Sequence, residues 1–202
     1  MLFRSASLRR EISDSSIDLR SSQDTAIYIG SIDKSKKIDF LLDSCEIVHT
    51  RYPNFKLKFF SNTPLPKRLA NRISHLTFVE NCGEASDDDF ARISQIGHFI
   101  LCPGRVGLIA VDSMHLNLPI ISTAWKYHAP EFGYLEAGKD VLVSEESILK
   151  YSELVSKVVS MQIELHSFRT NLNIKSNIYT IENMVSNYHR GVTRIAYEKV
   201  HG

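Results

Sequence analysis

Cysteine is scarce in this 202-residue chain, and the three present do not suggest a pairing. Cys45, Cys82 and Cys102 are odd in number, far apart and outside any Cys-x-x-Cys or Cys/His ligand spacing. That argues against a disulfide framework or structural zinc, and for free thiols in a reducing compartment. Charge of either sign is not in excess: 24 Lys and Arg against 23 Asp and Glu leave +1. No long-range field gathers nucleic acid or anionic lipid, so any bound anion must be held by a local set of donors. Long apolar runs are missing too. The first ten residues lack the apolar core of a signal peptide, and no stretch approaches the roughly 18 residues that span a bilayer. The expectation is a cytoplasmic protein without a transmembrane segment. Nor is there a G-x-G-x-x-G after the first strand, a phosphate loop or a nucleophile elbow, which disfavours hydride transfer and the corresponding hydrolases.

What remains is an ordinary globular composition, 43% hydrophobic and 23% charged, enough for one domain with a core of its own. Residues 1–24 carry Ser, Arg and Asp without apolar periodicity and read as a flexible arm or linker remnant. Residues 25–202 read as the domain. Within it the runs Ala26–Gly30, Leu57–Phe60, Leu76–Val79, His98–Cys102, Pro119–Thr123 and Asp140–Val143 predict strands. Most are continuously apolar, as strands covered on both faces are. Between them, Ile38, Leu41, Leu42, Cys45 and Val48 recur at helical spacing over about Lys36–Arg51. Ser86 with Asp89 three residues on predicts an N-cap. Further helices are expected over Gly107–Leu116 and Glu153–Phe168, with a last one from Thr180 to about Lys199. Strand and helix alternate about six times, which predicts an α/β fold: a doubly wound, mostly parallel sheet of about six strands with helices on both faces. Ligands of such folds sit beyond the carboxyl ends of the strands.

Three junctions there hold candidate chemistry. After the first strand, Gly30 leads into Ser31–Lys37 with Lys34, Lys36 and Lys37, either a phosphate-facing cluster or a solvated helix start. After His98–Cys102 comes Pro103-Gly104-Arg105-Val106-Gly107-Leu108 and a helix carrying Asp112. The N–H groups of Gly107 and Leu108 would point at an anion such as a diphosphate, and Asp112 could accept from vicinal ribose hydroxyls. The plain alternative is a Pro-Gly turn with a solvent-facing Asp. After the fifth strand, His128-Ala129-Pro130-Glu131 would bring Glu131 to the ligand side. His128 is either a general acid or base or a packing residue. Asp87–Asp89 reads as a helix start and not as a metal site.

Taken together, Gly30 with Lys36, the Pro103–Leu108 corner with Asp112, the Asn117–Ile121 turn and Pro130-Glu131 with Gly138 resemble a glycosyltransferase. The likeness is to the carboxyl-terminal, donor-binding domain of a family 4 retaining enzyme of the GT-B fold, and it covers roughly Thr25–Lys199. The resemblance implies a nucleotide diphosphate sugar as ligand. It places Lys36, Gly107 and Leu108 at the diphosphate, where Arg105 is expected to stand in for a missing cation, and Asp112 at the ribose, with Gly30, Ser31, Gly104, Pro130 and Glu131 in the donor-site loops; no cofactor is expected, and no metal, since no Asp-x-Asp ends a strand. Two positions depart from the family pattern: Ser31 stands where an Arg is common, and Gly104 where a carboxylate is. A further departure is length, since such enzymes place catalysis between two Rossmann-like halves. The expectation is therefore a donor half that transfers sugar to a glycan or lipid-linked acceptor once another chain supplies the acceptor half. The alternative is a truncated, catalytically silent module that binds a nucleotide or a partner. Basic and aromatic residues of the last helix, Tyr188, Arg190, Arg194, Tyr197 and Lys199, read as a packing face with a basic edge and not as a nucleic-acid surface.

Overall fold

The structure, a computed structural model, describes residues 23–180, 182, 183, 185–190 and 193. The expected arm, up to residue 22, and the far end of the last helix, including Arg194, Tyr197 and Lys199, lie outside the described residues. Among the described residues six strands form one sheet in the order β3-β2-β1-β4-β5-β6. They are β1 (Thr25–Gly30), β2 (Lys56–Ser61), β3 (Val79–Gly83), β4 (Phe99–Cys102), β5 (Ile120–Thr123) and β6 (Val141–Ser144). All neighbouring pairs are parallel. The helices are α1 (Ile38–Arg51), α2 (Lys67–Ser74), α3 (Asp87–Ile96), α4 (Ile109–Leu116), α5 (Ile148–Val159) and α6 (His166–Ser176).

The sheet is buried on two sides, which is why its strands lack polar alternation. Tyr28 of β1 turns to a core with Leu41, Leu42, Ile73 and Val155. Its neighbour Ile27 turns to the opposite core, with Ile93, Ile109, Met114 and Leu172. The expected α1 stripe is the buried one, Ile38, Leu41, Leu42, Cys45 and Val48. Each fully buried aliphatic side chain of this kind contributes about 1.5–3 kcal/mol. Ser86 closes a capping box with Asp89 at the start of α3, and the Thr180 hydroxyl accepts from the Asn183 N–H as the expected cap of the last helix.

Two expectations need correction. The apolar run Leu76–Val79 is not the third strand, which begins only at Val79. Leu76 to Phe78 form a turn, closed by the Val79 N–H on the Leu76 carbonyl at 3.0 Å, from which Phe78 packs into the core. None of the strand's own residues, Val79–Gly83, is buried, so it carries no apolar run. The expected helix Glu153–Phe168 is two helices, because Met161 takes a left-handed φ of 61° and breaks the run between α5 and α6. Helix α2 was not anticipated, since only Leu69 and Ile73 of its eight residues are buried.

The chain runs outward from β1 to β3 and then crosses back to place β4 on the other side of β1. Between β1 and β4 the strand order reverses, and there adjoining connections leave the sheet on opposite sides and open a crevice. Pairing across this seam covers Ala26↔Phe99 and Ile27↔Ile100, extended by the His98 N–H on the Thr25 carbonyl at 2.9 Å, against six positions between β1 and β2.

Candidate functional site

The loops that follow β1, β4 and β5 meet at this crevice, and specific contacts lock them together. After Gly30, the Tyr28 hydroxyl donates to the Ser31 carbonyl at 2.7 Å. The Asp33 carboxylate accepts from the Ser35 hydroxyl and N–H and from the Ser31 hydroxyl. Burial works against its charge, yet these bonds and the nearby Lys36 hold the Asp33 carboxyl below its ordinary pKa. The result is a 3-10 turn, Lys34–Lys36, followed by Lys37 with a left-handed φ of 53°. Ser31, where an arginine would supply charge, is absorbed in shaping this turn.

Gly104 lies against that turn. The Arg105 N–H donates to the Ser35 carbonyl at 2.8 Å, and a Cβ at Gly104 would fall 2.1 Å from the same oxygen and 2.7 Å from the Lys36 Cα. No side chain fits there, so the missing carboxylate is the counterpart of a close approach between two backbones. The Lys36 ammonium then donates to the Arg105 carbonyl at 2.8 Å. The structure thus brings Gly30, Lys36, Gly104 and Arg105 together. The exposed Arg105 guanidinium has no hydrogen-bond or ion-pair partner among the described residues.

Beyond Val106 the chain turns into α4. The Gly107 and Leu108 carbonyls accept the first bonds of that helix, from Ala110, Val111 and Asp112. Neither the Gly107 nor the Leu108 N–H donates to any described residue, and the helix has no side-chain cap. Two backbone donors are thus left open at a positive helix end. Asp112 occupies the first turn of α4, half-buried.

The third loop closes the site from the β5 side. The Thr123 hydroxyl donates to the Pro103 carbonyl at 2.7 Å, and the Ala129 N–H to the Val106 carbonyl at 2.9 Å. A Cβ on Gly107 would meet the Ala129 methyl at 3.6 Å, an ordinary contact. Pro130 opens a 3-10 turn to Tyr134, and Glu131 in it has a buried carboxylate oxygen without a hydrogen-bond partner among the described residues. His128 does not stand free as an acid or base: one ring nitrogen takes the Val106 N–H and the other meets the Thr123 carbonyl. Sequence reasoning missed Trp125, whose ring carries the Lys37 ammonium 4.6 Å from its centroid while Glu146 pairs with that ammonium at 2.5 Å. Lys37 is thereby drawn to the connections after β5 and β6, and Lys36 is the lysine that reaches the Arg105 carbonyl.

Among the described residues no cluster of His, Cys, Asp or Glu could hold a metal ion, and no helix is long and apolar enough to cross a membrane. An open groove of about 390 Å³ lies elsewhere, beside α2 and the β3 edge, lined by Leu65, Ala70, Ile73, Leu76 and Val79 among others.

A sequence model of the family described as "Glycosyl transferases group 1" matches residues 23–161. No sequence among the curated proteins matches the chain. Among solved structures, the pneumococcal O-GlcNAc transferase GtfA in complex with UDP and GlcNAc superposes with a TM-score of 0.71 at 14% identity, over 90% of this chain and 37% of that one. A GtfA/B complex gives 0.67 at 15%, over 88% and 37%. The carboxyl-terminal domain of LpcC, a glycosyl transferase group 1 family protein of Francisella tularensis, gives 0.60 at 15%, over 77% of this chain and 85% of that domain. At such identities the likeness establishes the fold. The chain spans little more than a third of the matched chains of GtfA and of the GtfA/B complex.

Proposed function

Because the chain belongs to the group 1 glycosyl transferases, we propose that it is the donor half of such an enzyme, holding a nucleotide diphosphate sugar at the switch-point crevice. The observation that carries this reading is the pair of open Gly107 and Leu108 amides beside the Lys36 ammonium and the Arg105 side chain. These groups suit a diphosphate, and they would stabilise the charge that grows on it as the glycosidic bond breaks. Asp112 is assigned to the ribose hydroxyls. Glu131, with its unpaired buried oxygen, and Pro130 are assigned to the sugar side, with Ser31 and Gly104 shaping the floor. UDP is the first nucleotide to test, since the pneumococcal neighbour carries it. The acceptor, a glycan or a lipid-linked saccharide, would be presented by an acceptor-binding half on a separate polypeptide, in a cytoplasmic complex.

Calorimetric titration with UDP, GDP and ADP tests the site. Removing one hydrogen bond to a charged group costs about 1.5–3 kcal/mol, so Lys36→Ala and Asp112→Ala are each expected to weaken binding about 10- to 150-fold. No binding of any of the three by the unaltered protein, or equal binding by both variants, refutes the assignment.

One observation favours a second reading, a silent binding module: the backbone contact at Gly104 leaves no room for the carboxylate that the family pattern places there. The two separate on turnover. A donor half releases UDP from a UDP-sugar when mixed with its acceptor partner, whereas a silent module binds and releases the donor intact.

A further inference from the structure

The connections after β4 and β5 meet at one imidazole. The His128 Nδ1 lies 3.1 Å from the Val106 amide nitrogen, and its Nε2 lies 2.9 Å from the Thr123 carbonyl oxygen. The ring stacks on Phe132 at 4.0 Å between centroids and meets Trp125 edge-on at 6.0 Å. These partners fix the proton. A backbone N–H can only donate, so Nδ1 is a bare acceptor; a carbonyl can only accept, so Nε2 carries the hydrogen. Val106 immediately precedes the open Gly107 and Leu108 amides, and its carbonyl is held in turn by the Ala129 N–H at 2.9 Å. Both polar groups of Val106 are therefore tied to the segment that carries the histidine.

We propose that His128 is the positioning residue of the diphosphate corner, and that a proton on Nδ1 releases the corner and weakens donor binding. The proposal rests on the donor-site reading above. Protonation would set an N–H against the Val106 N–H, replacing an attraction by a repulsion. The charged groups that act on the ring are Lys37 and Lys36, after β1; Arg105 adjoins the ring's partner Val106 in the chain, and Glu131 adjoins Phe132, on which the ring stacks. Burial depresses the pKa, the Thr123 carbonyl partly offsets this, and Lys37 and Lys36 lower it further. A value lower in the folded than in the unfolded chain means that the contact is fully formed above the ordinary histidine value of about 6.5. It is lost as pH falls through the folded value.

The test has two arms. In the ligand-free protein, nitrogen NMR of the ring should show the Nε2–H tautomer, and the Val106, Gly107 and Leu108 amide resonances should titrate with the same midpoint as the ring, below about 6.5. The second arm uses UDP-glucose, whose diphosphate diester does not change charge in this range. Binding should weaken about five- to tenfold by one pH unit below the ring's own midpoint. His128→Gln keeps a donor and an acceptor without a titration and should flatten that profile while retaining most of the affinity at neutral pH. Amides that ignore the ring, binding that strengthens on acidification, or equal pH slopes in both proteins would overturn the proposal. Coupled amides with no UDP-glucose binding at any pH would instead remove the donor-site reading and leave the positioning role standing.

Discussion

Gly104→Ala removes nothing and adds one methyl group, yet it should unsettle the whole crevice. The new carbon would sit 2.1 Å from the Ser35 carbonyl oxygen and 2.6 Å from the Lys36 carbonyl carbon. Both are backbone atoms, so no rotamer relieves the overlap and the Lys34–Lys36 turn must retreat. The retreat breaks the 2.8 Å bond from the Arg105 N–H to Ser35 and draws the Lys36 ammonium off the Arg105 carbonyl. Overpacking costs about 1–3 kcal/mol and the lost backbone bond about 1 kcal/mol, while water replaces much of the partly exposed lysine contact, for a total of about 2–4 kcal/mol. In a domain of this size that lowers the thermal midpoint by about 4–16 °C. Gly133→Ala is the control, because a Cβ there meets nothing within 4 Å, and it should stay within about 0.5 kcal/mol of the parent. Thermal and urea unfolding of the two variants read the difference, and titration with UDP reads the loss of the corner. If both variants melt with the parent, the two loops do not rest on each other as described.

Other expectations concern the frame around the crevice. Asp140, 1% exposed, accepts from the Glu136 N–H and is paired with the Lys175 ammonium of α6. Asp140→Asn should cost about 2–4 kcal/mol, with Asp140→Asn/Lys175→Met recovering part of it; an unchanged urea midpoint in the single variant would refute the pairing. Thr123→Val removes the hydroxyl that holds the Pro103 carbonyl and should lower stability by about 1–2 kcal/mol, read the same way. The thiols give a pH-dependent check. Burial pushes Cys102 up to about 11 and Cys45 higher still, and Cys82, only half-buried, is also raised by burial and by Glu80. At about pH 8 a thiol reagent should find Cys82 alone, and slowly, until denaturant exposes the other two; rapid labelling of all three in the native state would contradict the burial.

The sheet was legible because its strands are covered on both faces, so that Ala26–Tyr28 and Phe99–Cys102 need only be apolar to be recognised. In β3 that signal vanishes because none of its residues is buried, and the strand begins at Val79 because the apolar residues before it belong to a turn. The α5–α6 break was hidden because Met161 is an unremarkable residue in a left-handed conformation. In the crevice, the sequence carried the positions of Gly30, Lys36, Arg105, Gly107, Leu108 and Asp112 along the chain. It did not carry the contact between Gly104 and the Ser35–Lys36 backbone, nor the pair of bonds that occupies His128, since both join segments far apart in sequence. Trp125 escaped for the same reason: its role depends on an ammonium more than eighty residues away. Tyr188 of the last helix, expected on a packing face, is 76% exposed against the described residues, and Val185 58%.

The short ladder between β1 and β4 makes the sheet something like a book with a lightly stitched spine. Ser35 and Lys36 belong to one cover and Arg105 to the other, so the two contacts that join them are stitches near the page edge, where leverage on the spine is greatest. A diphosphate gripped from both covers would fasten the book shut. Amide hydrogen exchange should then slow most at Ala26, Ile27, Phe99 and Ile100 when nucleotide is added, far from any atom that touches it, because the opening suppressed is that of the spine itself.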